Sequence, residues 1–427
     1  MIRTFAFAIV AVCAATSSAF ADSTPDTVGT AGVARIDKQR IDAALEGFVK
    51  ANTLVGVSAL VYHDGREAYF GAFGLADREA NRPLTRDAIV QIYSMTKPVT
   101  GVALMTLYEQ GKFQLDDPVS KYLPEFASMR VYAGKDVNGQ LIFEAPHRPI
   151  TVRDLMRHTS GMAGGAEPGP VGDAFLQADL SALDIPLSEG VRRLSTVPLL
   201  YHPGTRWLYS PSVEVQALLV ERLSGMRFDQ YLQKHIFDPL KMKDTRHVVR
   251  PADWKRMAAL YSRSDDGVMT RVPDEKAFEF NRKDWPLKPG SWGLTSTLDD
   301  YMHFARMLLN GGQLDGVRIL EPGTVRLMAT DAMPDAVTDK SWLPGKGQVG
   351  FGIDFAVRIA SPKAGEASGE VGEYFWDGFA NTLFWVDPTN QIAAVLFAQY
   401  VPFGKAPFHK AFRDAVYYDD TSAATPR

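Results

Sequence analysis

The chain has 427 residues, with 46 Lys and Arg against 50 Asp and Glu, a formal charge of −4 and a single cysteine. A slightly acidic chain without a long basic run is unsuited to nucleic acid. One cysteine rules out an internal disulfide framework. The length suffices for a large core in one big or two ordinary domains.

The first 21 residues, MIRTFAFAIVAVCAATSSAFA, read as a secretory signal. Arg3 is the charged start, residues 5–12 the apolar core, and Ala19-Phe20-Ala21 the small-x-small cleavage site. That core is too short to span a bilayer, and Val12 stands before Cys13 where a lipoprotein site needs a small residue. Cleavage after Ala21 removes Cys13 and Arg3, so a periplasmic or secreted mature chain without thiol chemistry is expected, carrying a charge of −5. No later apolar run is long enough for a membrane span.

Residues 22–33 are small and polar and predict a flexible lead-in. Over residues 36–51, Ile41, Leu45 and Phe48 recur at helical spacing. Two runs rich in β-formers, 54–62 and 67–73, flank His63-Asp64-Gly65, and an Asp-Gly between such runs signals a hairpin. A helix is predicted to start at Ser94, with Val99, Val102, Ala103, Leu107 and Tyr108 on its apolar face, Pro98 in its first turn and Gly111 at its end. Residues 113–299 mix short helices with long, proline-rich connections. They include a capped turn of helix at 151–158, a Gly/Pro loop at 163–173, and a helix at 213–223 closed by Gly225.

The C-terminal part returns to regular alternation. Thr297 with Asp300 resembles a capping box opening a helix to Leu309. Strands are expected at 350–359, 381–386 and 391–399, and a last helix at 407–418. Both ends are thus β-rich and the middle helical. The economical architecture is an α/β (α+β) fold: one antiparallel sheet, flanked by helices and built from both chain ends, with an inserted helical lobe. After the signal, residues 22–427 would form a single domain, its α/β lobe at about 30–93 and 300–420 and its helical lobe at about 94–299. Ser94 falls at the seam, a preferred place for a site.

Within Tyr93-Ser94-Met95-Thr96-Lys97, the i,i+3 spacing makes the Ser94 hydroxyl and Lys97 amine neighbours. A buried lysine can be neutral and act as base toward a serine, and the free N–H groups of a helix start favour developing negative charge. It is the only S-x-x-K in the chain. No G-x-S-x-G and no H-E-x-x-H occurs, and the eight histidines are scattered, so no metal or other cofactor is expected.

Ser94-Met95-Thr96-Lys97, then Tyr209-Ser210, then Trp376-Asp377-Gly378 resemble, in order, the three motifs of the class C β-lactamase superfamily, which includes D-alanyl-D-alanine peptidases and the family VIII carboxylesterases. The resemblance extends through His158-Thr159-Ser160-Gly161, Pro203-Gly204 and Gly293-Leu294-Thr295-Ser296-Thr297, and spans about residues 36–400. It implies a penicillin-binding-protein-like fold with Ser94 as nucleophile and Lys97 and Tyr209 managing protons. The backbone N–H groups of Ser94 and Phe379 would form the oxyanion hole. Near a cation, the Tyr209 phenol is expected to have a lowered pKa. Tyr93, Trp376 and Gly378 are candidates to line the substrate site, and His158 to stabilise a loop beside it.

Two departures from lactam-hydrolysing members stand out. Pro211 replaces an Asn, and Trp376 replaces a Lys or His; both resemble the esterases. The expected function is therefore a serine carboxylesterase acting on small, short-chain esters, with possible weak β-lactam hydrolysis. The alternatives are a class C-like β-lactamase or D-Ala-D-Ala carboxypeptidase, an acyltransferase, and a non-catalytic lactam- or peptidoglycan-binding protein. Intact Ser94, Lys97 and Tyr209 speak against the last. Oligomeric state is not legible.

Overall fold

The computed structural model describes residues 35–165 and 167–418. The expected signal, Cys13 and the lead-in at 22–33 lie outside the described residues.

The predicted hairpin forms from β1 (Gly56–His63) and β2 (Arg66–Asp77). Asp64 and Gly65 adopt φ of 51° and 72°, the left-handed pair that a tight two-residue turn needs. With β3 (Arg82–Pro83), β4 (Val349–Phe351), β5 (Ala356–Arg358), β6 (Tyr374–Gly378), β7 (Thr382–Asp387) and β8 (Ile392–Phe397), it builds an eight-stranded sheet ordered β4-β5-β6-β7-β8-β1-β2-β3. Every neighbouring pair is antiparallel. The sheet joins both chain ends, as the sequence predicts.

Helices cover both faces. Successive side chains of a strand point opposite ways, and in β7 the adjacent Phe384 and Trp385 show what each meets. Phe384 packs on Tyr301 and Phe304 of α4 (Leu298–Leu309), and Trp385 on Phe412 of α5 (Phe408–Val416). Helix α1 (Lys38–Lys50) packs beside α5 through Phe48 and Phe408. Double cover explains why every residue of β7 and β8 is buried, and why these strands read as unbroken apolar runs rather than alternation.

Between the halves, α2 (Thr96–Glu109) packs against α3 (Ser212–Ser224). Gly225 closes α3 with φ of 70°. The short helix Val152–Met156 carries a full capping box between Thr151 and Asp154. At Thr297 only half the box forms: Thr297 accepts from the Asp300 N–H, while the Asp300 carboxylate turns to the Asp244 N–H and the Thr245 hydroxyl.

Four expectations are corrected. Ser94 does not open an α-helix but lies in a 3-10 turn, Tyr93–Met95, that runs into α2. Residues 350–359 are not one strand but a hairpin, reversed around Asp354 at φ 57°. The loop at 163–173 ends early, because Pro170 starts a helix (Pro170–Ala178) at the position where its missing N–H costs nothing. The middle also contributes strands, Tyr261–Arg263 and Met269–Arg271, which pair with each other and with Tyr400–Val401.

Candidate active site

The chain leaves the sheet and returns to it through two short strands, Val90–Gln91 and Thr295–Ser296, which pair antiparallel. The turn Tyr93–Met95, which carries Ser94, is fixed just beyond them. The Ile92 N–H donates to the Leu294 carbonyl (3.0 Å), and Tyr301 of α4 donates its hydroxyl to the Met95 carbonyl (2.8 Å). A Cβ on Gly378 would sit 2.3 Å from the Ile92 carbonyl oxygen, so only glycine lets the end of β6 press against this turn. The candidate role of Gly378 is therefore corrected: its bare Cα faces Ile92 and Thr382, not the cavity. Tyr93 takes φ of 44°, a left-handed conformation unusual for a large side chain, and its ring packs edge-on against Phe379.

Within this frame, Lys97 Nζ lies 3.2 Å from Ser94 Oγ and 2.9 Å from the Ser291 carbonyl oxygen, which accepts its proton. The 3-10 turn runs directly into α2, and residues three apart in helical backbone are neighbours, so the pair meets although the helix start differs from the prediction. Burial drives the Lys97 pKa down to about 7, against the pull of Glu214, Asp354 and Asp377. A neutral amine beside a serine hydroxyl can take its proton.

Tyr209 bonds Ser94, lies with its ring face 4.5 Å from Lys97 Nζ, and accepts from Trp376 Nε1 at 3.2 Å. Its pKa does not fall as expected. Burial pushes it well above the ordinary value, outweighing the bonds from Ser94 and Trp376. The resting phenol is neutral, and the lowered pKa belongs to the lysine.

Trp376 is 1% exposed and sits behind Tyr209, outside the cavity lining. This corrects its expected place in the substrate wall, since its one N–H is already committed to Tyr209. Asp377 is not a free charge either: it pairs with Lys346. His158 is fully buried and accepts from the Ser210 N–H through Nδ1 (3.3 Å), while its carbonyl accepts from the Leu208 N–H (2.9 Å). Burial and Lys97 hold it well below the ordinary histidine pKa, so this neutral ring braces the extended segment carrying Tyr209.

The backbone N–H groups of Ser94 and Phe379 have no protein acceptor among the described residues. Both residues line a cavity of about 1040 Å³, together with Tyr93, Lys97, Tyr209 and Ser291. Its lining also includes Leu260, Val272, Ala277, Gly164, Leu208 and Trp342.

Glu214, Ser291 and Trp342 went unnoticed in the sequence. Glu214 follows Tyr209 by five residues, and that spacing from a motif tyrosine was the one available signal. Among the described residues, no group of three or more His, Cys, Asp or Glu could hold a metal ion.

The chain matches the β-lactamase family over residues 41–418. It is 32% identical over 376 residues to Protein Rv1367c of Mycobacterium tuberculosis, covering 84% of this chain and 89% of that one. It is 29% identical over 401 residues to Esterase EstB of Burkholderia gladioli, covering 88% and 94%. The solved structure of EstCE1, described as a hydrolase with promiscuous acyltransferase activity, superposes with a TM-score of 0.71 at 24% identity, covering 89% and 98%. The chain belongs to the β-lactamase family and is a serine hydrolase of that fold.

Proposed function

We propose that this chain is a serine carboxylesterase working through an acyl-enzyme on Ser94. The observation that carries the reading is the contact of Ser94 Oγ with a lysine amine that burial keeps close to neutral at physiological pH. Lys97 takes the Ser94 proton as Oγ bonds to the ester carbonyl carbon. The carbonyl oxygen becomes an oxyanion, which the Ser94 and Phe379 N–H groups receive. Its collapse breaks the bond to the alcohol oxygen, and the proton returns to that alkoxide from Lys97 by way of the Tyr209 hydroxyl. Water then repeats the sequence on the acyl-enzyme, with Tyr209 and Lys97 as its base, and frees the acid.

Esters are favoured over β-lactams because Pro211, which lines the cavity, stands where lactam-hydrolysing relatives carry an amide. A cavity of about 1040 Å³ lies at the upper end of small-molecule sites, so volume does not impose the short-chain preference expected from the sequence. The same volume favours an acyltransferase as the second reading, with an alcohol replacing water in the last step. The leading 21 residues support export to the periplasm or the medium, which cell fractionation tests.

The deciding experiment follows p-nitrophenyl esters of increasing acyl length beside a chromogenic cephalosporin, with and without an added alcohol. Ester hydrolysis exceeding cephalosporin turnover supports the esterase. Cephalosporin turnover exceeding ester turnover overturns it in favour of a lactamase. Transfer to the added alcohol outrunning hydrolysis overturns it in favour of an acyltransferase, and turnover of neither in favour of a binding protein.

A further inference from the structure

The carbonyl that holds Lys97 belongs to a turn, Gly290–Ser291, that is itself tied to two helices. From α3, the Glu214 carboxylate accepts from the Gly290 N–H (2.7 Å), the Ser291 N–H (3.3 Å) and the Ser291 hydroxyl. From α2, Thr100 donates its hydroxyl to the Gly290 carbonyl oxygen (2.6 Å). Four bonds therefore fix two residues that hold Lys97 Nζ through the Ser291 carbonyl. A Cβ on Gly290 would meet the Val213 carbonyl oxygen and the Ala217 methyl at 2.6 Å, so the turn lies hard against α3.

We propose that Glu214 is a positioning residue that sets Lys97 against Ser94, by clamping the Gly290–Ser291 turn and by presenting a negative charge to the Lys97 amine. The inference rests on the reading of Ser94 and Lys97 as nucleophile and base.

The charged and titratable groups facing Lys97 from the surrounding elements single out Glu214. Asp377 from β6 is paired with Lys346. Asp354, from the turn between β4 and β5, accepts only from Gln216, and its second oxygen has no partner. Burial raises its pKa well above the ordinary value, which favours its neutral form and weakens its pull on Lys97. Tyr209 and His158 are neutral for the reasons given above. Burial also raises the pKa of Glu214, but the Ser291 hydroxyl, the Gly290 N–H and the charge of Lys97 oppose it. Three donors and no acceptor suit an ionised carboxylate. A glutamine in its place could offer one oxygen, and its NH₂ would face a backbone N–H.

The test follows the rate at which a fluorophosphonate probe phosphonylates Ser94 against pH, a readout independent of which ester is the substrate. For Glu214→Gln the maximal rate is expected to fall at least about tenfold, and the acidic limb to move about one unit to lower pH, because Lys97 loses a facing negative charge. Glu214→Asp keeps the charge and should hold the wild-type limb while recovering part of the rate. Thr100→Val loosens the same turn without changing charge, and should slow labelling with the limb unmoved. Should Glu214→Gln not fold, the aspartate and valine variants decide.

Wild-type rate and limb in Glu214→Gln overturn the proposal, and so does wild-type rate in both other variants. A limb in Glu214→Gln unmoved or shifted to higher pH overturns the charge role. Absence of Ser94 labelling in the wild type instead overturns the underlying reading of the nucleophile.

Discussion

Trp376 Nε1 donates to the Tyr209 hydroxyl oxygen at 3.2 Å from a position almost wholly shielded from solvent. The same phenol oxygen bonds Ser94. The ring of Trp376 also packs against Trp342 and Phe351, so the donor cannot swing away without disturbing the core. At this third-motif position the side chain is thus turned to Tyr209 rather than to the cavity.

Replacing Trp376 by Phe keeps most of the packing and removes the donor. A neutral hydrogen bond is worth about 0.5–1.5 kcal/mol, so kcat for a p-nitrophenyl ester should fall about two- to tenfold with KM nearly unchanged. A rise in KM at constant kcat would show that Trp376 touches substrate after all. Trp376→Lys would place an ammonium beside the partly buried Lys346–Asp377 pair. It should lower Tm instead of opening a site for anionic lactams.

The pH dependence follows from Lys97. Its amine must be neutral to act as base, so kcat/KM should rise through neutral pH with an acidic limb near its pKa of about 7. Stability carries the same signature. The unfolded chain keeps this proton up to about 10.5, whereas the fold releases it near 7. The buried amine therefore destabilises the fold most below about pH 7, and this cost fades as pH rises toward 10.5. Lys97→Met should abolish turnover yet raise Tm at pH 6, with a smaller gain at pH 9. Thermal melts at the two pH values check this, and a gain larger at pH 9 would reverse the assignment.

Trp342 lies edge-on to Tyr209 with ring centroids 5.3 Å apart and lines the cavity on that side. In the proposed mechanism Tyr209 hands its proton to the departing alkoxide, which puts the alcohol half of an ester there. Trp342→Ala should raise the kcat/KM ratio of bulky-alcohol to methyl esters of one acid, while acyl chain-length preference at constant alcohol stays unchanged. Competition assays with paired esters measure both ratios. A change confined to the acyl series would place Trp342 against the other half of the substrate.

Buried Asp154 holds the segment behind Tyr209. It accepts from Arg148, Arg157 and the hydroxyls of Thr151 and Thr159, leading directly into His158. Asp154→Ala would strand two arginines, one of them buried, and should cost about 3–5 kcal/mol. Urea unfolding followed by tryptophan fluorescence reads the loss.

Several local signals in the sequence translated directly into structure, whereas the Thr297–Asp300 box formed only halfway because Asp300 is drawn to Asp244 and Thr245. The Asp64-Gly65 turn, the Thr151–Asp154 box and the Gly225 stop all depend on residues a few positions apart. The meeting of Ser94 and Lys97 was legible for the same reason. Strand β6 was not marked as a strand, because Tyr374, Phe375 and Trp376 are all buried and show no alternation. The clamp on Lys97 was hidden because Ser291 reaches it across 194 positions of chain. The pKa of Tyr209 was misjudged because the neighbouring cation was counted and the burial of the phenol was not.

The central claim, that Ser94 is the nucleophile, is tested most directly by intact-mass analysis after fluorophosphonate treatment of wild type and Ser94→Ala, with peptide mapping of the adduct. The account predicts one adduct, located on Ser94, with ester turnover lost in step with labelling and neither seen in the variant. An adduct of equal yield and rate on Ser94→Ala, or one mapped to another residue while turnover is lost, would contradict it.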